Sequence, residues 1–102
     1  MEDILGRSLR ILVLLREAEP EALSLYEIMS RIGLEYRSVV PFIEGLSSWG
    51  LVEVEETFEG KRPVHLHRLT RSGRDVADNA IKTEASAKRH RDSHKKATSE
   101  RA

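Results

Sequence analysis

GLEYRSVVPFIEGLSSWGLVEV, residues Gly33 to Val54, opens on a glycine suited to a left-handed position after a helix end. It continues as a second helix and finishes as the start of a strand. Val39, Phe42, Ile43, Leu46 and Trp49 recur at the spacing of a core-facing stripe, and Gly50 closes the helix. Beyond it LVEVEETF alternates apolar with acidic residues, as a half-buried strand does. Pro41 complicates this helix. In an interior turn it removes an amide bond and meets the preceding turn, at about 3 kcal/mol. The sequence therefore predicts either a late start near Ser38, which puts Pro41 in the first turn, or a kink at Pro41.

Upstream, EAEPEALS breaks a helical pattern, and Ser24 with Glu27 three residues later has the spacing of a capping box for a short helix over Leu25 to Arg31. The helix before it, Ile4 to about Glu17, is apolar round more than the roughly 100° that packing on one core requires. Its second face either sits deep in its own domain or packs on another subunit. Downstream, EGKRP supplies turn chemistry and VHLHRL a returning strand, which makes a hairpin. Thr70 can cap a last helix beginning RSGRDVADNAI, whose apolar content fades after Ile81.

At 102 residues the chain has the length of one domain. Its 17 basic and 17 acidic residues balance, so no overall field attracts a polyanion or an anionic membrane. The distribution is uneven. Residues 1–80 carry ten Lys/Arg against fourteen Asp/Glu, whereas residues 81–102 carry seven against three. The absence of cysteine excludes disulfides, thiolate zinc sites and a cysteine nucleophile. No apolar run is long enough to suggest a membrane span, and a soluble cytoplasmic protein is expected. Gln is absent and Asn occurs once, while a third of the chain is charged, a composition that hyperthermophile proteins tend to show.

The order of elements, helix, helix, turn, helix, hairpin, helix, resembles the winged helix-turn-helix proteins, and in particular small archaeal dimeric regulators and chromatin-type members. The resemblance rests on LYEIMSRIGLEYRSVV, GLSSWGLVEVE and HRLTRSGRDV. It implies an α+β, mainly α, fold over residues 1–85, followed by a basic helical extension or disordered tail over 86–102. It also implies a duplex-DNA-binding protein, a transcription regulator, with the third helix in the major groove and the wing on the backbone. A protein-interaction winged helix within a larger assembly is the alternative.

Carried onto this sequence, the resemblance makes Arg37 the direct reader, since a guanidinium can bond two acceptors of a guanine. Tyr36 and Ser38 are placed to reach phosphate or a base edge, Val40 and Pro41 a thymine methyl, and Glu44 only a cytosine amine. Ser24, Lys61, Arg62, Arg68 and Arg71 complete the expected DNA contacts, and Arg74 adds a further cation. A homodimer is expected through Leu5, Leu9 and Val13 of the first helix and Val76 and Ala80 of the last.

Other chemistry is weakly signalled. His90 and His94 share one side of a helix but lack a third metal ligand in sequence, and no metal or cofactor is expected. His65 and His67 read as a solvated strand face, and Glu53, Glu55, Glu56 and Glu59 as a charged edge that discourages strand pairing. No phosphate loop or nucleophile-base pair emerges, so no enzyme is expected.

Overall fold

In the computed structural model, which describes residues 4–101 and the side chains of residues 4–92, the first helix α1 (Gly6–Ala18) leads into a two-residue strand β1 (Leu23–Ser24) and the helix α2 (Leu25–Ile32). Ser24 starts α2 as expected. Its hydroxyl accepts from the Glu27 amide at 3.2 Å, and the Glu27 carboxylate accepts from the Ser24 amide at 3.2 Å, so two amides without helical partners are satisfied reciprocally. Gly33 ends α2 at φ 75°.

The next helix, α3 (Tyr36–Ser48), does not start late. Glu35 is its N-cap in extended conformation, and the Glu35 carbonyl accepts from the amides of Ser38 and Val39, each at 3.0 Å. Helix therefore forms two residues before Ser38 and runs through Pro41. The Arg37 carbonyl loses its i+4 donor, but both residues are exposed and water can replace it. Trp49 also departs from the expected stripe. It caps the helix and lies about 80° round from Val39, and it is 81% exposed.

The strands β2 (Val52–Glu59) and β3 (Arg62–Leu69) pair antiparallel from Val52↔Leu69 to Glu59↔Arg62, leaving a two-residue turn at Gly60 and Lys61. Gly60 at φ 64° occupies the first central position, where this tight turn favours glycine. Arg62 and Pro63 thus belong to the strand rather than to the turn. β1 pairs with the other edge of β3, through Leu23↔His67 and Ser24↔Leu66, giving the sheet order β1-β3-β2. Two residues are too few for an alternating pattern, and this strand has no signal in sequence.

The last helix, α4 (Arg71–Arg101), continues unbroken past residue 85. Its first turn is locked to the end of α3. The Thr70 hydroxyl donates to the Gly50 carbonyl at 2.6 Å and accepts from the Gly73 amide at 3.0 Å, while the Thr70 amide donates to the Leu51 carbonyl at 3.1 Å. The two stretches that mark the fold in sequence, GLSSWGLV and RLTRSG, are the two sides of this junction.

The core joins Ile11, Leu12 and Leu15 of α1 to Ile28, to Val39, Ile43 and Leu46 of α3, and to Leu23, Val52, Leu69 and Ala77. A second cluster, Leu5, Val13 and Ala80 with Leu9 and Ile81 against it, glues α1 to α4. Arg10 bonds both oxygens of Glu84, and Arg16 Nε donates to Asp78 at 2.8 Å. Residue 10 meets 84 and residue 16 meets 78, so the two helices run antiparallel. The second apolar face of α1 is accordingly covered within the chain. Leu5, Val13 and Ala80, expected at a dimer interface, are buried in the single chain and have almost no surface left to offer a partner. Val76 packs, half-buried, on the main core; Leu9 is half-buried between the two clusters.

Candidate nucleic-acid interface

The face of α3 turned away from Val39, Ile43 and Leu46 carries Arg37, Pro41 and Glu44, all exposed, with Ser38 and Val40 half-buried at its margins. Tyr36, in the first turn, is 59% exposed. Arg37 has no ion-pair partner among the described residues, so its guanidinium is open to a ligand. Glu44 is equally open and repels a polyanion.

On the hairpin, Lys61 and Arg62 are exposed and unpaired at the tip. The register nonetheless sets Glu59 directly across from Arg62 and Glu53 across from Arg68, which dilutes the positive charge of the wing. Arg68 is more committed. It lies 4.0 Å from Glu55 and donates to the Pro20 carbonyl at 3.4 Å, so it is the least available of the expected cations. Arg71 is exposed and unpaired at the start of α4. Arg74 is held by both oxygens of Glu19, at 3.1 and 2.7 Å. This hydrogen-bonded pairing lowers the Glu19 pKa and raises that of Arg74.

A cleft of about 580 Å³ between the first turn of α2 and β3 brings together two of the expected residues, Ser24 and Arg62, with Tyr26 and His65. Ser24 uses its oxygen as the capping acceptor, which leaves the hydroxyl proton to donate. Tyr26, 77% exposed, was not singled out from sequence. The available signal was its place one residue inside the capped N-terminus of α2, off the Ile28 side. His65 lies 3.3 Å from Glu56 across the hairpin.

His67 is a correction. Although it alternates with His65, it lies where β1 pairs with β3, opposite Leu23, is 4% exposed, and its Nδ1 is 2.9 Å from the Leu23 carbonyl. A carbonyl only accepts, so Nδ1 carries the proton. Burial lowers its pKa, the carbonyl bond opposing. The imidazole is a structural tie between β3 and β1. The acidic strand β2 is indeed a sheet edge, with Glu55 and Glu56 drawn toward Arg68 and His65. Among the described residues no three His, Asp or Glu side chains gather to hold a metal ion. His90 is exposed, and the side chain of His94 lies outside the described residues. Among the described residues no helix is long and apolar enough to cross a membrane.

A capped second helix, a third helix with one face open, and a two-stranded wing returning to a final helix decide the architecture. The fold is a winged helix-turn-helix. No family model matches the chain, and no curated protein matches its sequence. Solved winged helices do match in structure. One is Bacillus subtilis PadR in complex with operator DNA, with a TM-score of 0.64 and 24% identity over 72% of this chain and 45% of that one. Another is wild-type MarR from E. coli in its apo form, with a TM-score of 0.67 and 21% identity over 78% of this chain and 57% of that one. A third is MepR, a transcription regulator of the Staphylococcus aureus multidrug efflux pump MepA, with a TM-score of 0.72 and 16% identity over 90% of this chain and 66% of that one. This winged helix thus spans about half the length of the first two.

Proposed function

We propose that this winged helix binds duplex DNA and regulates transcription as a homodimer, with α3 in the major groove and the hairpin on the backbone. The observation that carries the reading is Arg37, exposed and unpartnered among the described residues on the outward face of α3. Bidentate donation to guanine is the use such a guanidinium has in a major groove. Lys61, Arg62 and Arg71 supply cations for phosphates, and the α2 cleft, with Ser24, Tyr26, Arg62 and His65, offers donors to one backbone strand. Likeness in fold to a protein crystallised with operator DNA supports this reading. A basic segment from residue 81 onward adds sequence-independent attraction. The depletion of Gln and Asn supports a thermophilic source.

Glu44 on the same face, and the acidic balance of residues 1–80, favour a second reading in which α3 docks on a protein. Titration of labelled duplex DNA at low and moderate salt separates the two. Salt-dependent binding supports the first, and no binding at low salt supports the second.

A further inference from the structure

Arg37, Pro41 and Glu44 stand on successive turns of α3, each of them exposed. At 100° and 1.5 Å per residue they fall within about 60° of arc and span about 10.5 Å, on the side opposite Val39, Ile43 and Leu46. That separation keeps Arg37 and Glu44 from neutralising each other, and neither has an ion-pair partner among the described residues. Gly45, beside Glu44, is open, since a Cβ there would meet nothing within 4 Å. Its lack of a side chain lets a groove wall come close to the helix. Ser48, the next residue of the stripe, turns its hydroxyl proton back to the Gly45 carbonyl at 2.8 Å. The stripe thus offers three contacts in order: a double donor, an apolar ring and an acceptor.

We propose that these three side chains read three successive base pairs, Arg37 selecting guanine, Pro41 thymine and Glu44 cytosine, and that Glu44 decides the third position. The inference rests on the DNA-binding reading and specifies which duplex sequences that reading favours.

Groove chemistry supplies the assignment. Side chains on consecutive turns of one helix face contact consecutive bases, as in zinc-finger helices that read three base pairs each. In the major groove guanine presents two acceptors, thymine a methyl group and cytosine an amine. These complement a guanidinium, a pyrrolidine ring and a carboxylate, in the order in which α3 carries them. The carboxylate is the informative member. It weakens binding to every duplex through phosphate repulsion and recovers part of that loss only where an amine faces it. Adenine also presents an amine, but with the N7 acceptor beside it, whereas the edge of cytosine itself carries the amine alone. Glu44 therefore excludes wrong sites as much as it marks the right one.

Selection of sites from a random-sequence duplex pool by the full chain, beside its Glu44→Gln variant, tests this. Glutamine and glutamate have nearly equal helix propensity, and the position is exposed, so the fold is kept. The parent is expected to select sites that share a guanine and a cytosine separated by one base pair. Glu44→Gln should keep the guanine and replace the cytosine by adenine, which a side-chain amide bonds at both N6 and N7. Anisotropy titrations on duplexes that differ only at that pair should show the preference reverse, by about fivefold in each direction. Loss of a negative charge alone would strengthen binding to all these duplexes alike. Selected sites without the guanine and cytosine, or a Glu44→Gln variant that keeps the parent's preference at that position, overturn the inference while DNA binding itself stands. A parent chain that binds no duplex even at low salt overturns both the inference and the proposed function.

Discussion

A Cβ atom on Gly73 would stand 1.9 Å from the carbonyl oxygen of Leu51. The obstacle is backbone rather than a side chain that could swing away, so only hydrogen fits where α4 crosses the end of α3. Gly73→Ala gains about 1 kcal/mol of helix propensity but forces the junction apart, and overpacking of this kind costs about 3 kcal/mol at the upper end of its usual range. A net loss of about 2 kcal/mol is expected, seen as a fall in melting temperature of about 8–16 °C. An unchanged melting temperature would mean that the Thr70 junction does not hold α4 as described.

Ser24 makes a second, smaller test of the same scaffold. Ser24→Ala removes the acceptor for the Glu27 amide and should cost about 1 kcal/mol. Ser24→Asp restores an acceptor and should recover most of it. Chemical denaturation measures both, and equal losses in the two variants would count against the capping role.

His67 ties folding to pH. Its folded pKa lies below the ordinary imidazole value of about 6.5 because burial disfavours the cation. The unfolded chain therefore takes up the proton first as pH falls. The stability contributed is complete above about pH 6.5 and is lost as pH drops from there through the lowered folded value. Denaturation curves at pH 7.5 and 5.5 should show the loss, and His67→Phe should flatten it. Glu19 acts in a lower window. Its pKa is depressed by the Arg74 hydrogen bond, so its contribution is present above about pH 4.5 and disappears as pH falls through the folded value. Glu19→Gln should flatten that lower limb alone.

These cases mark what was legible in the sequence. The capping box, Gly33 and the junction at Thr70 are local chemistries, each decided by a few neighbouring residues, and each stands where the pattern put it; the hairpin forms too, but with a tighter turn than EGKRP suggested and with Val54 and Phe58 exposed where a half-buried alternation was expected. His67, Trp49 and the inner face of α1 are decided by what packs over them. The period-2 pattern places His65 and His67 on one side of β3 but cannot say that β1 pairs beside only the second. A 3.6-residue period carries Trp49 near the core stripe but does not show that the chain leaves the helix there. Periodicity likewise gave α1 two apolar faces without saying that α4 covers the second. Of the two outcomes that Pro41 suggested, the late start does not occur, because the lost bond falls on a solvent-facing carbonyl that water can satisfy. Of the residues expected to contact DNA, Arg37, Lys61, Arg62 and Arg71 stand exposed and unpaired among the described residues, whereas Arg68 is drawn into contacts with Glu55 and Pro20 that no local pattern indicates.

Glu44 gives a direct reading of whether α3 meets DNA. If the proposed function holds, Glu44 faces the polyanion with no ion-pair partner among the described residues. Glu44→Gln should then tighten duplex binding several-fold at low salt, with the effect fading as salt rises. Unchanged affinity would place α3 away from the DNA.

The measurement that bears most directly on the central claim is a fluorescence-anisotropy titration of the full chain with duplex DNA over a salt series, beside Arg37→Ala. Three cations on phosphates, Lys61, Arg62 and Arg71, give a slope of about −2.7 in log K against log salt, and the basic segment steepens it. Arg37→Ala is expected to lose about 1–3 kcal/mol on a preferred sequence and much less on random duplex. A full-length chain that binds no duplex even at low salt, or an Arg37→Ala variant that binds a preferred sequence as the parent does, would contradict the account of α3 as the DNA-reading helix.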